Sequence, residues 1–416
     1  MLTVVEAVDR IITDVCRGPI ERVRLAESLG RVLAAGVDSP ITIPAWDNSA
    51  MDGYAVRAAD IETASAETPV TLPVLETIAA GAFPTRPLAP RSATRIMTGA
   101  PLPDGADTVV RVEDTDAGTD RVTIRNARDA RKNIRYRGED IREGARVLDA
   151  GMAVHAAQLG VLASIGSAMV DVYARPRVAI MTSGDELVDL DRFDEVRSGS
   201  KIVSSNSYTL DALVRQAGGI PVSVGTARDD PADIRARLER ATSCDLIVTS
   251  AGISVGEFDH LRRVLDDMGM ELKFWRVRMR PGAPLGFGLL RGKPWIGLPG
   301  NPVSTMVTFD LFVRPAIRKM LGHERLFRRP VAVMLAEPVS IGARLTHFLR
   351  ATVRPDADGR LVARLTGPQG SGILTSMAKA DALLIVPEDR PRVEAGERVR
   401  AFLLTEETQL AATFSL

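Results

Sequence analysis

The run Pro44-Ala-Trp-Asp-Asn-Ser-Ala-Met-Asp-Gly-Tyr54-Ala places two carboxylates, an amide, a hydroxyl and two aromatic rings in twelve residues. It has no helical or strand period, so core packing does not explain it. Polar groups on such loops converge when a rigid scaffold holds them, which is how binding and catalytic sites are built. Gly53 beside Asp52 marks a sharp turn or a close backbone approach. The plain alternative is a surface turn carrying two ordinary acids. Acids also gather around loops of the second half of the chain: Asp185, Glu186, Asp229, Asp230, Glu257 and Asp259. Hard cations such as Mg²⁺ take one or two carboxylates together with phosphate oxygens. A phosphate-bearing ligand among these acids therefore implies a divalent metal. For Asp229-Asp230-Pro231 the plain reading is a helix cap, since Asp is a favoured cap and Pro a favoured first residue.

The elements that would position these groups can be read in turn. Val4, Val5, Val8, Ile11, Ile12 and Val15 recur at helical spacing over residues 3–17, and residues 20–36 read as a second helix. From about 41 to 145, short β-branched runs broken by Gly, Pro and Asp indicate an all-β insert. Residues 153–167 return to helix and are expected to pack on the N-terminal one. Residues 176–321 alternate apolar strands (177–181, 244–249, 294–298) with helices (205–218, 231–241, 255–268, 302–320). That alternation predicts a parallel sheet with right-handed crossovers. From 327 onward short strands return, giving a small terminal β domain.

In open α/β sheets, ligands bind beyond the carboxyl ends of the strands. Three such ends carry polar glycine loops: Thr182-Ser183-Gly184-Asp185-Glu186; Thr249 to Gly256, with Gly252, Ser254 and Gly256; and Pro299-Gly300-Asn301-Pro302. Each can turn free backbone N–H groups toward an anion. Arg276, Arg278 and Arg280 fall at period two, on one face of a strand, and suit a ligand with several oxygens. A solvated edge strand is their plain alternative.

Composition narrows the classes. The chain has 416 residues and 53 acids against 53 bases, which disfavours nucleic-acid binding by bulk charge. Its two cysteines, Cys16 and Cys244, form no close pair and fit a reducing cytoplasm. No signal peptide and no apolar run of about 18 residues is evident, so no membrane span is expected. No nucleotide P-loop, no G-x-G-x-x-G after a first strand, no H-E-x-x-H and no cysteine cluster occurs.

Taken together, the motifs resemble the molybdopterin molybdenumtransferase family (MoeA and the homologous C-terminal domain of gephyrin). The matching segments are Asp47-Asn-Ser-Ala-Met-Asp-Gly-Tyr-Ala55, Arg95-Ile-Met-Thr-Gly-Ala-Pro101, Asn133-Ile-Arg-Tyr-Arg-Gly-Glu-Asp140, Thr182-Ser-Gly-Asp-Glu-Leu187, Ser254-Val-Gly-Glu257 and Leu298-Pro-Gly-Asn-Pro-Val-Ser304. They span the chain in order.

The resemblance implies a multidomain α/β plus β protein. Its parts are a helical linking domain (1–40 and 146–175), an inserted β lid (41–145), a central three-layer α/β domain with a mainly parallel sheet (176–325) and a C-terminal small β-barrel (326–416). It implies insertion of molybdate into adenylylated molybdopterin, supported by Mg²⁺ and accompanied by release of AMP. It further implies a cytoplasmic homodimer working with an upstream adenylyltransferase and recipient molybdoenzymes. A non-catalytic carrier or scaffold and an adenylyltransferase are the competing readings.

Residue by residue, Asp52 and Thr98 match lid positions that reach a partner subunit's active site. Glu186, Asp229 and Asp259 match acids of the pterin and metal site. Arg276 and Arg280 match basic positions that are usually lysine, and Arg350 and Ser371 match positions linked to molybdate. Without the resemblance, Arg350 reads as a surface charge. The sequence departs from the family at Ala283, commonly lysine, and at Ala251, commonly glycine.

Overall fold

The computed structural model describes residues 1–251 and 260–405, which group into two compact units. The larger comprises residues 1–34, 151–154 and 169 onward; the smaller comprises 35–150 and 155–168. No helix among the described residues is long and apolar enough to cross a membrane.

The larger unit is built on a six-stranded sheet. The strands Ile220–Ala227, Arg177–Ser183, Leu246–Ser250 and Lys293–Leu298 lie side by side and parallel. Pro284–Leu290 adds antiparallel to the last of these, and Glu271–Arg276 adds antiparallel to it in turn. All five residues of Leu246–Ser250 are buried, as are six of the seven in Arg177–Ser183. A strand covered on both faces reads as a near-continuous apolar run, here 178–181 and 246–248, with the buried hydroxyls of Thr182, Ser183, Thr249 and Ser250 at the strand ends.

One face of the sheet packs on the helices Ser205–Gln216 and Pro302–Thr308, with the latter running on through a π-turn at Phe309–Val313 into Arg314–Met320. The helices Pro231–Ala241 and His260–Asp267 cover the other face around Trp295. The N-terminal helix Val4–Asp14 opens with a reciprocal cap between Thr3 and Glu6 and buries Ala7 and Ile11 in the first of these cores. It thus packs on the α/β core, whereas the helix Ala156–Ser164 belongs to the smaller unit.

Residues 20–36 do not form the expected helix. Ile20–Arg24 is a strand paired antiparallel with Met169–Tyr173, followed by a single 3₁₀ turn at Leu25–Glu27. Its apolar residues also suit a short exposed strand, and Gly30 at φ +74° ends any helical continuation.

Beyond residue 330, the strands Thr346–Pro355, Leu361–Leu365, Val331–Leu335, Arg398–Leu403 and Ala382–Val386 pair in that order. Ala382–Val386 returns to Thr346–Pro355, closing a five-stranded barrel around Val333, Leu349, Ala363 and Leu384. Closure leaves no sheet edge exposed.

The smaller unit holds a five-stranded sheet in the order Thr108–Arg111, Gly53–Val56, Ala93–Ile96, Val70–Ile78, Arg121–Ile124. All four residues of Gly53–Val56 are buried. Tyr54, Val56 and Val110 pack on one face, and Ala55, Ile96 and Val109 on the other. Of the two thiols, Cys16 is exposed and Cys244 buried, and burial pushes the Cys244 pKa up.

Candidate functional site

A cavity of about 670 Å³ opens at the carboxyl ends of the parallel strands. Thr182, Ser183 and Glu186 from the first strand end, Ser250 and Ala251 from the second, and Pro299, Gly300 and Asn301 from the third all line it. Ser204, Ser205 and Asn206 bring the N-terminus of the helix Ser205–Gln216 to the wall, and Gly372 and Leu374 come from the barrel segment. The volume lies within the usual range for a small-molecule site.

Among the described residues no lysine or arginine lines this cavity. Its one charged lining side chain among them is Glu186, and what the wall can offer an anion is backbone N–H groups. The helices beginning at Ser205 and Pro302 carry no side-chain cap bond. The first N–H groups and the dipole end of the helix at Ser205 favour an anion, whereas Pro302 has no N–H and Val303 donates its own to the Ser371 carbonyl.

The first loop is shaped by Gly184, whose φ of +140° suits glycine. A β-carbon there would fall 2.5 Å from a Glu186 carboxylate oxygen, so the missing side chain lets Glu186 fold back against the turn. Asp185 points elsewhere: its carboxylate accepts the Asp229 N–H at 3.1 Å, and it lines a separate polar cavity with Arg192, Lys201 and Arg228. Asp230 caps the helix Pro231–Ala241 by accepting the Asp233 N–H at 3.0 Å, with Pro231 first in the helix. The plain cap reading therefore accounts for Asp230. Asp229 and Glu186 are both exposed. Among the described residues no group of three Asp, Glu, His or Cys side chains is placed to hold a metal. Gly252, Ser254, Gly256, Glu257 and Asp259 lie outside the described residues.

The arginine stripe keeps its alternation: Val277 and Met279 are buried, while Arg276 and Arg280 are exposed. Arg278 is paired with Glu388 at 2.7 Å. Neither Arg276 nor Arg280 lines the cavity, although Arg276 stands opposite Pro284, which does.

Arg350 is not a surface charge; it is fully buried. Its Nε donates to Ser376 Oγ at 3.0 Å, and its terminal nitrogens donate to the carbonyls of Pro368, Gln369 and Gly370 at 3.3, 3.1 and 2.9 Å. Among the described residues no carboxylate accompanies it, and burial lowers its pKa from the ordinary arginine value. Arg350 thus organises the segment that carries Ser371 and Gly372. The Ser371 carbonyl accepts the Val303 N–H at 3.1 Å, tying that segment to the helix start at Pro302.

In the smaller unit, Asp52 and Thr98 are brought together. One Asp52 oxygen accepts the Thr98 N–H at 2.7 Å and the Thr98 hydroxyl at 2.8 Å. The backbone bond first, then the hydroxyl, holds the Asp52 pKa below the usual carboxylate value. A depressed folded-state pKa stabilises above the unfolded value and is lost only as pH falls through the folded one. Asp52 is therefore a carboxylate throughout the neutral range. Thr98→Val, which keeps the amide but removes the hydroxyl, is expected to raise the Asp52 pKa part of the way toward about 3.9. A carbon-13 titration of labelled aspartate checks this; an unchanged pKa refutes the hydroxyl's share.

Ala251, at the cavity wall, has φ +76°, a conformation an alanine adopts only with strain. Its β-carbon sits against Gly300. Ala251→Gly is expected to stabilise the protein by about 1 kcal/mol, the usual relief of a left-handed non-glycine residue. Thermal unfolding measures it, and a lower midpoint counts against strain at this residue.

Sequence reasoning missed Asn206, Ser204 and Ser205. The Gly-Gly stop at the far end of their helix was visible, but nothing local marked its start as a cavity wall.

Three family profiles cover the chain: "MoeA N-terminal region (domain I and II)" over residues 2–166, "Probable molybdopterin binding domain" over 179–319 and "MoeA C-terminal region (domain IV)" over 332–404. Molybdopterin molybdenumtransferase 2 of Mycobacterium tuberculosis (strain ATCC 25618 / H37Rv) is 40% identical over 406 residues, covering 95% of this chain and 98% of that one. The molybdopterin molybdenumtransferase of Nostoc sp. (strain PCC 7120 / SAG 25.82 / UTEX 2576) is 38% identical over 386 residues, covering 91% and 87%. The crystal structure of the molybdopterin biosynthesis moeA protein from Pyrococcus horikoshii OT3 superposes with a TM-score of 0.83 at 29% identity, covering 97% of this chain and all of that one. Similarity of this extent at both levels establishes that the chain belongs to the molybdopterin molybdenumtransferase family.

Proposed function

We propose that this protein is a transferase of molybdenum cofactor biosynthesis, inserting molybdate into adenylylated molybdopterin with hydrolysis of the adenylate and release of AMP. The observation that carries the reading is the cavity at the strand ends, with two uncapped helix starts, a row of hydroxyls and one carboxylate, Glu186. Such a wall suits a ligand with phosphate oxygens and a polar ring system.

The donor set fits a magnesium ion held chiefly by the ligand's own oxygens, with Glu186 as a protein carboxylate. Bound there, the ion would offset phosphate charge. The chain's own residues do the rest: helix N–H groups orient the phosphates, and the ionised Asp52 offers a carboxylate fixed by Thr98. A homodimer, as the resemblance implies, is part of the proposal.

The test is incubation of the purified protein with adenylylated molybdopterin, molybdate and Mg²⁺, followed by AMP quantitation and reconstitution of an apo-molybdoenzyme. AMP release coupled to active cofactor is expected; binding of the pterin without either product refutes the enzyme. Asp52→Asn, which keeps an acceptor oxygen for Thr98, is expected to depress AMP release while leaving pterin binding intact.

A binding-only carrier is favoured by one observation: among the described residues no cationic side chain lines the cavity wall at Pro284, the residue after Ala283. Ala283→Lys separates the two: a large gain in insertion rate supports a native site adapted to holding rather than converting.

A further inference from the structure

We propose that Asn206 is a positioning residue for this site, a clamp that turns the Gly300 and Asn301 amides toward the ligand; the functional part of this inference rests on the reading above. Asn206 lies in the first turn of the helix Ser205–Gln216 and lines the cavity. Its Nδ2 donates to Ser250 Oγ at 2.9 Å and to the Gly300 carbonyl at 2.7 Å. One side chain thus joins three strand-end connections. The carbonyl of Gly300 can only accept, so the amide nitrogen must face it and the orientation of the group is fixed. The Asn206 Oδ1 is buried without a partner among the described residues. An acceptor left bare is a standing cost, and it is consistent with selection for what the nitrogen does.

The same turn is held at its other carbonyls. Thr305 Oγ1 donates to Pro299 O at 2.6 Å and Asn301 O at 3.1 Å, and Ser250 Oγ donates to Pro299 O at 3.2 Å. Three successive carbonyls are therefore drawn toward side-chain donors. In a planar trans peptide the N–H points opposite to the C=O. Fixing the Pro299 and Gly300 carbonyls therefore sends the Gly300 and Asn301 N–H groups the other way. Both residues line the cavity, and neither N–H has an acceptor among the described residues. Two adjacent free amides form a concavity suited to a single oxyanion. Asn206 holds the middle carbonyl of the three and is the only donor to it among the described residues, which makes it the link whose loss frees the Asn301 amide.

The test uses the full-length protein and two variants. Asn206→Leu removes the donor at similar volume. Asn206→Asp is isosteric; its ionised carboxylate repels the Gly300 carbonyl, whereas its protonated form can donate to it. With adenylylated molybdopterin, Asn206→Leu is expected to lower the rate of AMP release ~10-fold or more at every pH, a typical cost of misplacing a contact group. Asn206→Asp is expected to lose as much at pH 8 and to recover several-fold relative to the parent protein by pH 5.5. Equal, pH-independent losses in both variants assign Asn206 a merely structural role and overturn the clamp.

Hydrogen exchange supplies a readout that needs no substrate. In Asn206→Leu the peptide covering residues 298–304 should exchange several-fold faster, with the barrel peptides unchanged; unaltered exchange in that peptide overturns the proposal. If the parent protein releases no AMP yet the exchange result holds, the clamp stands and only the catalytic reading fails.

Discussion

Gly53→Ala is expected to destabilise the five-stranded sheet of the smaller unit while leaving the stability of the barrel unchanged. Gly53 begins the strand Gly53–Val56, which is paired on both sides, with Ala93–Ile96 and with Thr108–Arg111. A β-carbon on it would stand 2.0 Å from the Val110 carbonyl oxygen and 3.0 Å from the Arg111 Cα. Both obstacles are backbone of a central pairing, so no side-chain rotation relieves the overlap. The strands must separate, with loss of ladder bonds and of packing around Tyr54 and Val110, both fully buried. The cost is about 3 kcal/mol or more, at the upper end for overpacked sites. For a unit of this size that lowers its melting temperature by roughly 10 °C. The same shift displaces Asp52, whose carbonyl accepts the Val112 N–H at 3.1 Å and whose carboxylate meets Thr98. Differential scanning calorimetry should separate the transitions, and a variant melting with the parent protein would show that the pairing yields without cost.

The second large effect is at Arg350. Arg350→Met fills similar volume but withdraws donors from three carbonyls and from Ser376. The guanidinium is fully buried, so those groups would be left dry. A buried acceptor left without its donor costs about 1–3 kcal/mol, and a hydrogen bond from a charged donor contributes about 1.5–3 kcal/mol. Arg350→Lys restores the charge, yet a single ammonium cannot span the carbonyls of Pro368, Gln369 and Gly370. The expected order of stability is parent, then lysine, then methionine, read from urea midpoints. Protease cleavage near residues 367–373 should rise in the same order. A methionine variant as stable as the parent protein would mean that the segment holds its shape without the guanidinium.

The two sites differ in how far the amino-acid sequence announces them. Strands such as Leu246–Ser250 are legible because burial on both faces favours a near-continuous apolar run, here Leu246, Ile247 and Val248, and the glycine turns at their ends follow from the sharp return into a helix. The stretch after Pro19 was not legible, since Ile20, Val23 and Leu25 satisfy a helical spacing as well as a strand, and only pairing with Met169–Tyr173 decides between them. Asn206 was invisible for a related reason: its two partners lie 44 and 94 residues away. Without the resemblance Arg350 reads as a surface charge, because arginine is rarely buried without an acid; a row of inward-facing carbonyls is the circumstance that permits its burial. Ala251 was noticed as a departure, while the backbone angle that gives the departure its cost is a property of the fold.

The contrast between Cys16 and Cys244 has a practical consequence. One thiol is open to solvent and the other sealed, its thiolate further disfavoured by burial. A maleimide dye should therefore attach at a single position without any engineering. Chains tagged separately with donor and acceptor fluorophores, then mixed, would show resonance energy transfer if they associate and none if they do not, which tests the proposed homodimer optically.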